Sequence, residues 1–419
     1  MKVWVGLLVL TGVIASAGVA CSSGTSSKDK TATSVAAAAA AAAAPKIVQV
    51  QVDGDGDGFD AYMIHYFPEK ITLHAGDSVK FKLKDSGEPH TVASGAPVKD
   101  LLDFVEGYCG PERFAAPKCG QDVQPPPDVE AKFNELSGKL PQLLPDGPGD
   151  ANQAAANPCF VAAGGTIPTD KRCTNVPQPD FKGDEALYNS GWLSEAQDFT
   201  VKLAADIKPG TYTFLCLLHG AGMTETITVV DKAADSDTAD EVKARLDTEL
   251  ATFRGKLTKP AADLKVSKGG TEGDIKWDVQ GDTHVDGVDG GVAEFGPPEI
   301  SIPTGGSVTW NLQGAHTVSF NAPEDAKSLR KVAADGTVHI NEKGASPAAV
   351  PEPPAPSDDP NAPPVLFDGG TWDGASFLST GIVGNGNGGF FKLTFAKAGT
   401  YTYKCLVHDG MEGTVKVGS

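Results

Sequence analysis

The stretch "GTYTYKCLVHDGM", residues 399–411, places Cys405, His408 and Met411 on one short loop after an alternating run, Tyr401, Tyr403 and Cys405. Alternation of this kind belongs to a strand, so the three donors sit where a strand ends. A thiolate, an imidazole and a thioether form a soft ligand set, which suits copper better than magnesium or calcium. One ligand is missing. A copper plane of one thiolate and two imidazoles, with a weak axial thioether, needs a second His from another strand. His316, in "GAHTVSF" (residues 314–320), fits that role. The same order occurs earlier, as "GEPHTV" (87–92) with His90 and "GTYTFLCLLHGAGM" (210–223) with Cys216, His219 and Met223.

With those motifs in view, both halves of the chain resemble cupredoxins, the family of plastocyanin, amicyanin, azurin and halocyanin. The second loop, C-x2-H-x2-M, is closest in spacing to amicyanin. The first, C-x2-H-x3-M, is one residue longer and matches neither amicyanin nor the x4 of plastocyanin. The resemblance covers the strands at both ends of each half and leaves out the long segments between them. It implies an all-β fold class: two Greek-key cupredoxin β-sandwiches with long loop insertions and a short linking helix. It further implies two type 1 copper ions per chain, held by His90, Cys216, His219 and Met223 and by His316, Cys405, His408 and Met411. The rings of His219 and His408 are then expected to have an edge near the surface, where the electron leaves. Gly220, Ala221, Gly222 and Gly410 beside them are small enough for close docking of a partner.

Composition agrees with this class. The chain has 419 residues, room for two or three domains, and the internal repeat favours two. Aromatic content is 7%, against 49 Gly and 30 Pro, which suits short strands joined by turns and long loops. The formal net charge is −19, with no long basic block to neutralise phosphates, so nucleic-acid binding is excluded as a class. A basic redox partner, such as a cytochrome c or a membrane oxidase, is the expected complement.

Residues 1–21 read as an export signal: Lys2, an apolar stretch from Val3 to Ile14, then small residues up to Ala20. Cys21 after Gly18, Val19 and Ala20 resembles a bacterial lipoprotein processing site, although Gly18 stands where Leu or Val is usual. The expected location is the cell envelope, outside the cytoplasm, with the membrane reached through a lipid anchor. Residues 22–45, Ser/Thr/Lys and a run of Ala, form a low-complexity tether. Of the seven Cys, two are assigned to copper and one to lipidation, leaving Cys109, Cys119, Cys159 and Cys173. An even number in an exported protein reads as two disulfides; three connectivities are open, and pairing of neighbours, Cys109 with Cys119 and Cys159 with Cys173, is expected.

The first domain spans 46–231, with an insertion at about 96–195 that carries the four Cys and one short helix after Asp128. "DGDGDGFD" (53–60) begins like a calcium loop, but Ile64 stands where the twelfth-position Glu belongs, so it reads as a turn. Residues 232–272 link the domains; Val242, Leu246, Leu250 and Phe253 recur at helical spacing, which predicts a helix from Ser236 to Arg254, ended by Gly255. The second domain spans 273–419. Its "EISIPTGGSVTWNLQGAHTVSF" (299–320) repeats "KITLHAGDSVKFKLKDSGEPHTV" (70–92) element by element, and its insertion, about 322–370, is expected to be irregular.

The function expected from this set is single-electron transfer, not catalysis. An oxidase or nitrite reductase needs further His-held copper, often with His beside the Cys; here Leu215 and Leu217 flank Cys216, and Lys404 and Leu406 flank Cys405. The spare histidines, His65, His74, His284 and His339, are scattered, with no H-x-H pair. Copper storage or delivery would use the same ligands.

Overall fold

Alternation sets the strands. In the strand Ile47–Val52, Val48, Val50 and Val52 are buried while Ile47 and Gln49 are exposed, the period-2 pattern of a sheet with one face on a core. The structure, a computed structural model, describes residues 44–84, 86–110, 113, 116, 118–119, 125–144, 179–193, 195, 198–265, 276–281, 289–312, 314–332, 338–351, 366–383 and 389–418. The signal segment with Cys21, most of the tether, and Cys159 and Cys173 lie outside these residues.

In the first half, one sheet runs in the order Tyr66–Phe67, Ile47–Val52, Ser78–Leu83, Phe199–Lys202, and a second in the order Lys70–His74, Gly220–Val230, Gly210–Cys216, Ala93–Gly95, Leu187–Asn189. Between them lies a core that includes Val50, Phe81, Phe214, Ile227 and Met223. The second half repeats the plan. Phe295–Gly296, Lys276–Gly281, Ser307–Leu312, Gly389–Phe395 and Leu366–Trp372 form one sheet; Glu299–Pro303, Glu412–Gly418, Gly399–Lys404, Ser319–Phe320, Leu378–Thr380 and Pro347–Ala348 form the other. Trp310, Phe320, Phe391, Phe395 and Tyr403 fill its core. Side chains of this size contribute about 1.5–3 kcal/mol each when fully buried. The expected all-β architecture of two sandwiches is present.

Corresponding short strands of the two halves pair with each other: Ala61–Met63 runs antiparallel to Gly290–Val292, with Tyr62 opposite Gly291. Such pairing of equivalent elements is what two copies related by a two-fold axis make. Tyr62 belongs to the first half in sequence but packs into the core of the second.

Helices attach to this frame. α1 (Ala96–Cys109) buries Val98, Leu101, Leu102 and Val105 against Leu215, Leu217 and Ala221 beside the first Cys loop. It was not expected, because Pro and Cys dominate the reading of that insertion, yet its apolar residues recur at helical spacing. α2 (Pro127–Ser137) is the short helix expected after Asp128, and Cys109 is bonded to Cys119. The insertion in the second half is less irregular than expected: its described residues include a hairpin of Arg330–Val332 with Val338–Ile340, and Ala326 and Leu329 are buried.

α3 (Ala239–Lys265) is longer than the expected 236–254 and runs through Gly255 and Pro260. A Pro inside a helix costs about 3 kcal/mol, but Leu257 and Leu264 beyond Gly255 are both buried and contribute about 1.5–3 kcal/mol each. The apolar stripe therefore outweighs the breaker. α3 packs on Ala61, Met63 and Phe67 of one half and on Val292 of the other. No helix among the described residues is long and apolar enough to cross a membrane.

Candidate metal centres

Each sandwich delivers its donors from two places. The Cys strand Gly399–Lys404 ends one residue before Cys405, and the loop closes with the Cys405 N–H donating to Met411 O at 2.9 Å. His316 enters from across the sheet, its backbone held by reciprocal bonds with Val383 at 3.0 and 2.8 Å. Thr317 then ties the two segments together. Its N–H points to Cys405 Sγ at 3.4 Å, and its hydroxyl oxygen accepts the Leu406 N–H at 2.8 Å. The first half makes the same pair: Thr91 N–H to Cys216 Sγ at 3.4 Å, and the Leu217 N–H to Thr91 Oγ1 at 2.8 Å. This explains why His-Thr-Val appears in both halves.

The donors converge. Cys405 Sγ lies 3.8 Å from His316 Nδ1 and 3.8 Å from His408 Nδ1, and the two Nδ1 atoms are 3.0 Å apart. In the first half, the donor atoms of His90, Cys216 and His219 all lie within 4.8 Å of one another. Met223 and Met411 are buried in the same clusters as Cys216 and Cys405. These are the two groups of three possible metal donors found among the described residues. Six of the eight expected residues thus form two triads, and Met223 and Met411 lie in the same buried cores as Cys216 and Cys405.

Burial would raise both thiols, but the facing imidazoles reverse this: His316 and His408 hold Cys405, and His219 and His90 hold Cys216, well below the usual thiol range. Burial in turn opposes charge on the rings. The Cys405 and Glu88 contacts nonetheless lift His408 to about 10, and Asp53 with Cys216 lifts His90 to about 10. Thiolate, the form that binds metal, is therefore favoured at both centres.

Two carboxylates at the site were missed. Asp53, read as part of a turn, is buried at the end of its strand. Its Oδ1 accepts the Gly54 and Met63 N–H groups at 2.6 and 2.7 Å, Ser86 donates its hydroxyl to Oδ2, and Oδ2 lies 3.2 Å from His90 Nε2. A carboxylate facing that nitrogen leaves Nδ1 as the metal donor; both ring nitrogens of His90 and Nδ1 of His219 are buried with no hydrogen-bond partner. Glu88 lies between the halves, Oε1 at 3.2 Å from His408 Nε2 and Oε2 at 3.9 Å from His219 Nε2. Burial would raise this carboxyl, but the His408 bond and the charges of His408, His219 and His90 bring it down to about 2. One signal was available: Gly314 stands two residues before His316, where Glu88 stands two before His90.

The expected exposure of the two ring edges is not found. His408 is 1% exposed, stacked on Tyr62 at 4.7 Å and 22°, and the His219 side chain is 9% exposed. The first half covers the second loop: Gly87 has φ 101°, and a Cβ there would lie 2.2 Å from Val407 O. Of the remaining histidines, His65 packs on Phe67 and Phe253, His74 bonds Ala234 O and Ser236 Oγ, and His339 sits opposite Lys331 in the hairpin. His284 lies outside the described residues.

No protein-family model matches the chain, and no curated protein matches its sequence. Similar solved structures include a reduced auracyanin from Roseiflexus castenholzii, 18% identical, covering 45% of this chain and 98% of that one at a TM-score of 0.21. A mutant plastocyanin of fern is 20% identical and covers 44% of this chain and 100% of that one at a TM-score of 0.18. A copper-containing nitrite reductase from Thermus scotoductus is 11% identical and covers 90% and 100% at a TM-score of 0.21. Function is therefore read from this chain's own residues.

Proposed function

We propose that the chain is an exported electron-transfer protein with two type 1 copper centres, His90, Cys216, His219 and Met223 forming one and His316, Cys405, His408 and Met411 the other. The supporting observation is the donor triangle of the second half, repeated in the first. Imidazole nitrogens about 2.0–2.1 Å and a thiolate about 2.3 Å from one ion in a trigonal plane stand about 3.5–3.6 Å and about 3.7–3.8 Å apart. The two Cys-to-His separations of 3.8 Å match that, and the His-to-His separation of 3.0 Å is shorter. Copper held there supplies a one-electron couple. The protein's part is to keep the donors fixed: one His comes from the Cys loop and the other from a separate segment of the chain, the threonine hydroxyls pin the Cys loops, and buried surroundings exclude water. A site that does not rearrange between oxidation states is what a carrier requires.

Lipidation of Cys21 would hold this carrier at the outer side of a membrane, on the tether of residues 22–45. The net charge of −19 favours a basic redox partner, a cytochrome c or the basic face of a membrane oxidase. Substitution tests the two-centre reading directly. Cys216→Ser and Cys405→Ser should each remove about half of the thiolate-to-copper absorption, and the double variant all of it. Loss of the whole band in one single variant, or of none, contradicts two independent sites.

A further inference from the structure

Glu88 sits where no ligand set requires a carboxylate. Its side chain is 9% exposed, and its two oxygens face one ligand ring from each half: His408 Nε2 at 3.2 Å and His219 Nε2 at 3.9 Å. In His408 the other nitrogen, Nδ1, faces Cys405 Sγ at 3.8 Å. In His219 the Nδ1 is buried without a hydrogen-bond partner while Nε2 looks to Glu88. The outward edges of the two rings, through which an electron would leave each centre, are thus turned toward each other with a single carboxylate between them.

The two centres are also unequally covered. His316, Cys405 and His408 are 0%, 4% and 1% exposed, and Tyr62 stacks on the His408 ring. At the first centre, the His219 side chain keeps 9% of its exposure against 0% for His408. The first ring is the less covered of the two.

We propose that Glu88 joins the two centres into one redox unit, in which an electron taken up at the first centre passes to the second through His219, the Glu88 carboxylate and His408. This rests on the copper reading above. The transfer oxidises one centre by one electron and reduces the other by one; Glu88 stays ionised, both Nε2 protons stay in place, and the electron comes from an external one-electron donor. The first centre, whose ring is the less covered, takes up the electron and the second stores it, so one chain holds two electrons. A merely structural Glu88 would tie the halves together without affecting the path.

The test uses the full copper-loaded chain and hexaammineruthenium(II) as reductant, with Glu88→Gln, Glu88→Ala and Cys216→Ser. Glu88→Gln keeps the shape and an acceptor for His408 Nε2 but removes the charge that faces both rings. In the unsubstituted protein, the second centre should reduce in a phase whose rate does not depend on reductant concentration. In Cys216→Ser and Glu88→Gln that phase should slow roughly tenfold or more, the scale on which outer-shell partners act, while Glu88→Gln still melts in one cooperative transition. In the fully reduced protein, nitrogen NMR should show the His408 Nε2–H shifted by Glu88→Gln, and Glu88→Ala should shift it further. Equal reduction rates in all variants, or an unmoved His408 Nε2–H, overturn the proposal. Absence of thiolate-to-copper absorption in the unsubstituted protein would instead overturn the copper reading.

Discussion

Thr91 and Thr317 show how a site is held by residues that never touch the metal. Each follows its ligand His, and each hydroxyl oxygen accepts the N–H of the residue after the Cys at 2.8 Å. Thr317→Val keeps the shape but leaves the Leu406 N–H buried without its acceptor, a loss of about 1–3 kcal/mol. A denaturant melt of the metal-free protein should show that loss, and Thr317→Ser should restore most of it; an unchanged midpoint for the Val variant contradicts the assignment. At this scale the two Cys and His triads were legible, because Cys and His lie within a few residues and the distant His carries its Thr-Val tag. Asp53 and Glu88 were not. Glu88 meets a ring 320 positions away, and no local pattern records a contact of that separation.

Elements were legible where periodicity was clean and misjudged where a breaker residue was given too much weight. The start of α3 is a capping box: the Glu241 N–H donates to Thr238 Oγ1 at 3.2 Å, and the Thr238 N–H to Glu241 Oε2 at 2.8 Å, two residues beyond the expected start at Ser236. Asp237 instead accepts the Thr72 N–H at 2.6 Å, fastening the linker to the first sandwich. Its end was misread because Gly255 reads as a stop, whereas burial of Leu257 and Leu264 against the paired halves decides the outcome. Two substitutions rank these effects. Thr238→Ala should cost about 1 kcal/mol and Leu257→Ala about 2–5 kcal/mol, both read from urea midpoints. A larger effect at Thr238 than at Leu257 would mean that the cap, not packing, holds the helix.

For the whole molecule, duplication was visible in the sequence, but the way the halves oppose each other was not, since Ala61–Met63 and Gly290–Val292 are three residues each and carry no alternation. That opposition buries the second Cys-His loop, and it also buries a carboxyl group. Asp289, whose carbonyl accepts the Ile64 N–H across the halves at 2.7 Å, has a carboxyl oxygen without a partner. Burial pushes its pKa from 3.8 up to about 7, with Glu69 adding and His65, His219 and Lys256 opposing. The folded protein therefore keeps a proton that the unfolded chain has released, so stability is lost as pH rises from about 4 to about 7. In the metal-free protein, Asp289→Asn should flatten that decline; an identical pH profile would show that the group does not titrate in this window. The most direct test of the central claim is copper counting on the purified protein, combined with visible and EPR spectra. Two coppers per chain, both with type 1 signatures, are predicted. A single copper per chain, or a type 2 signal, would contradict the account.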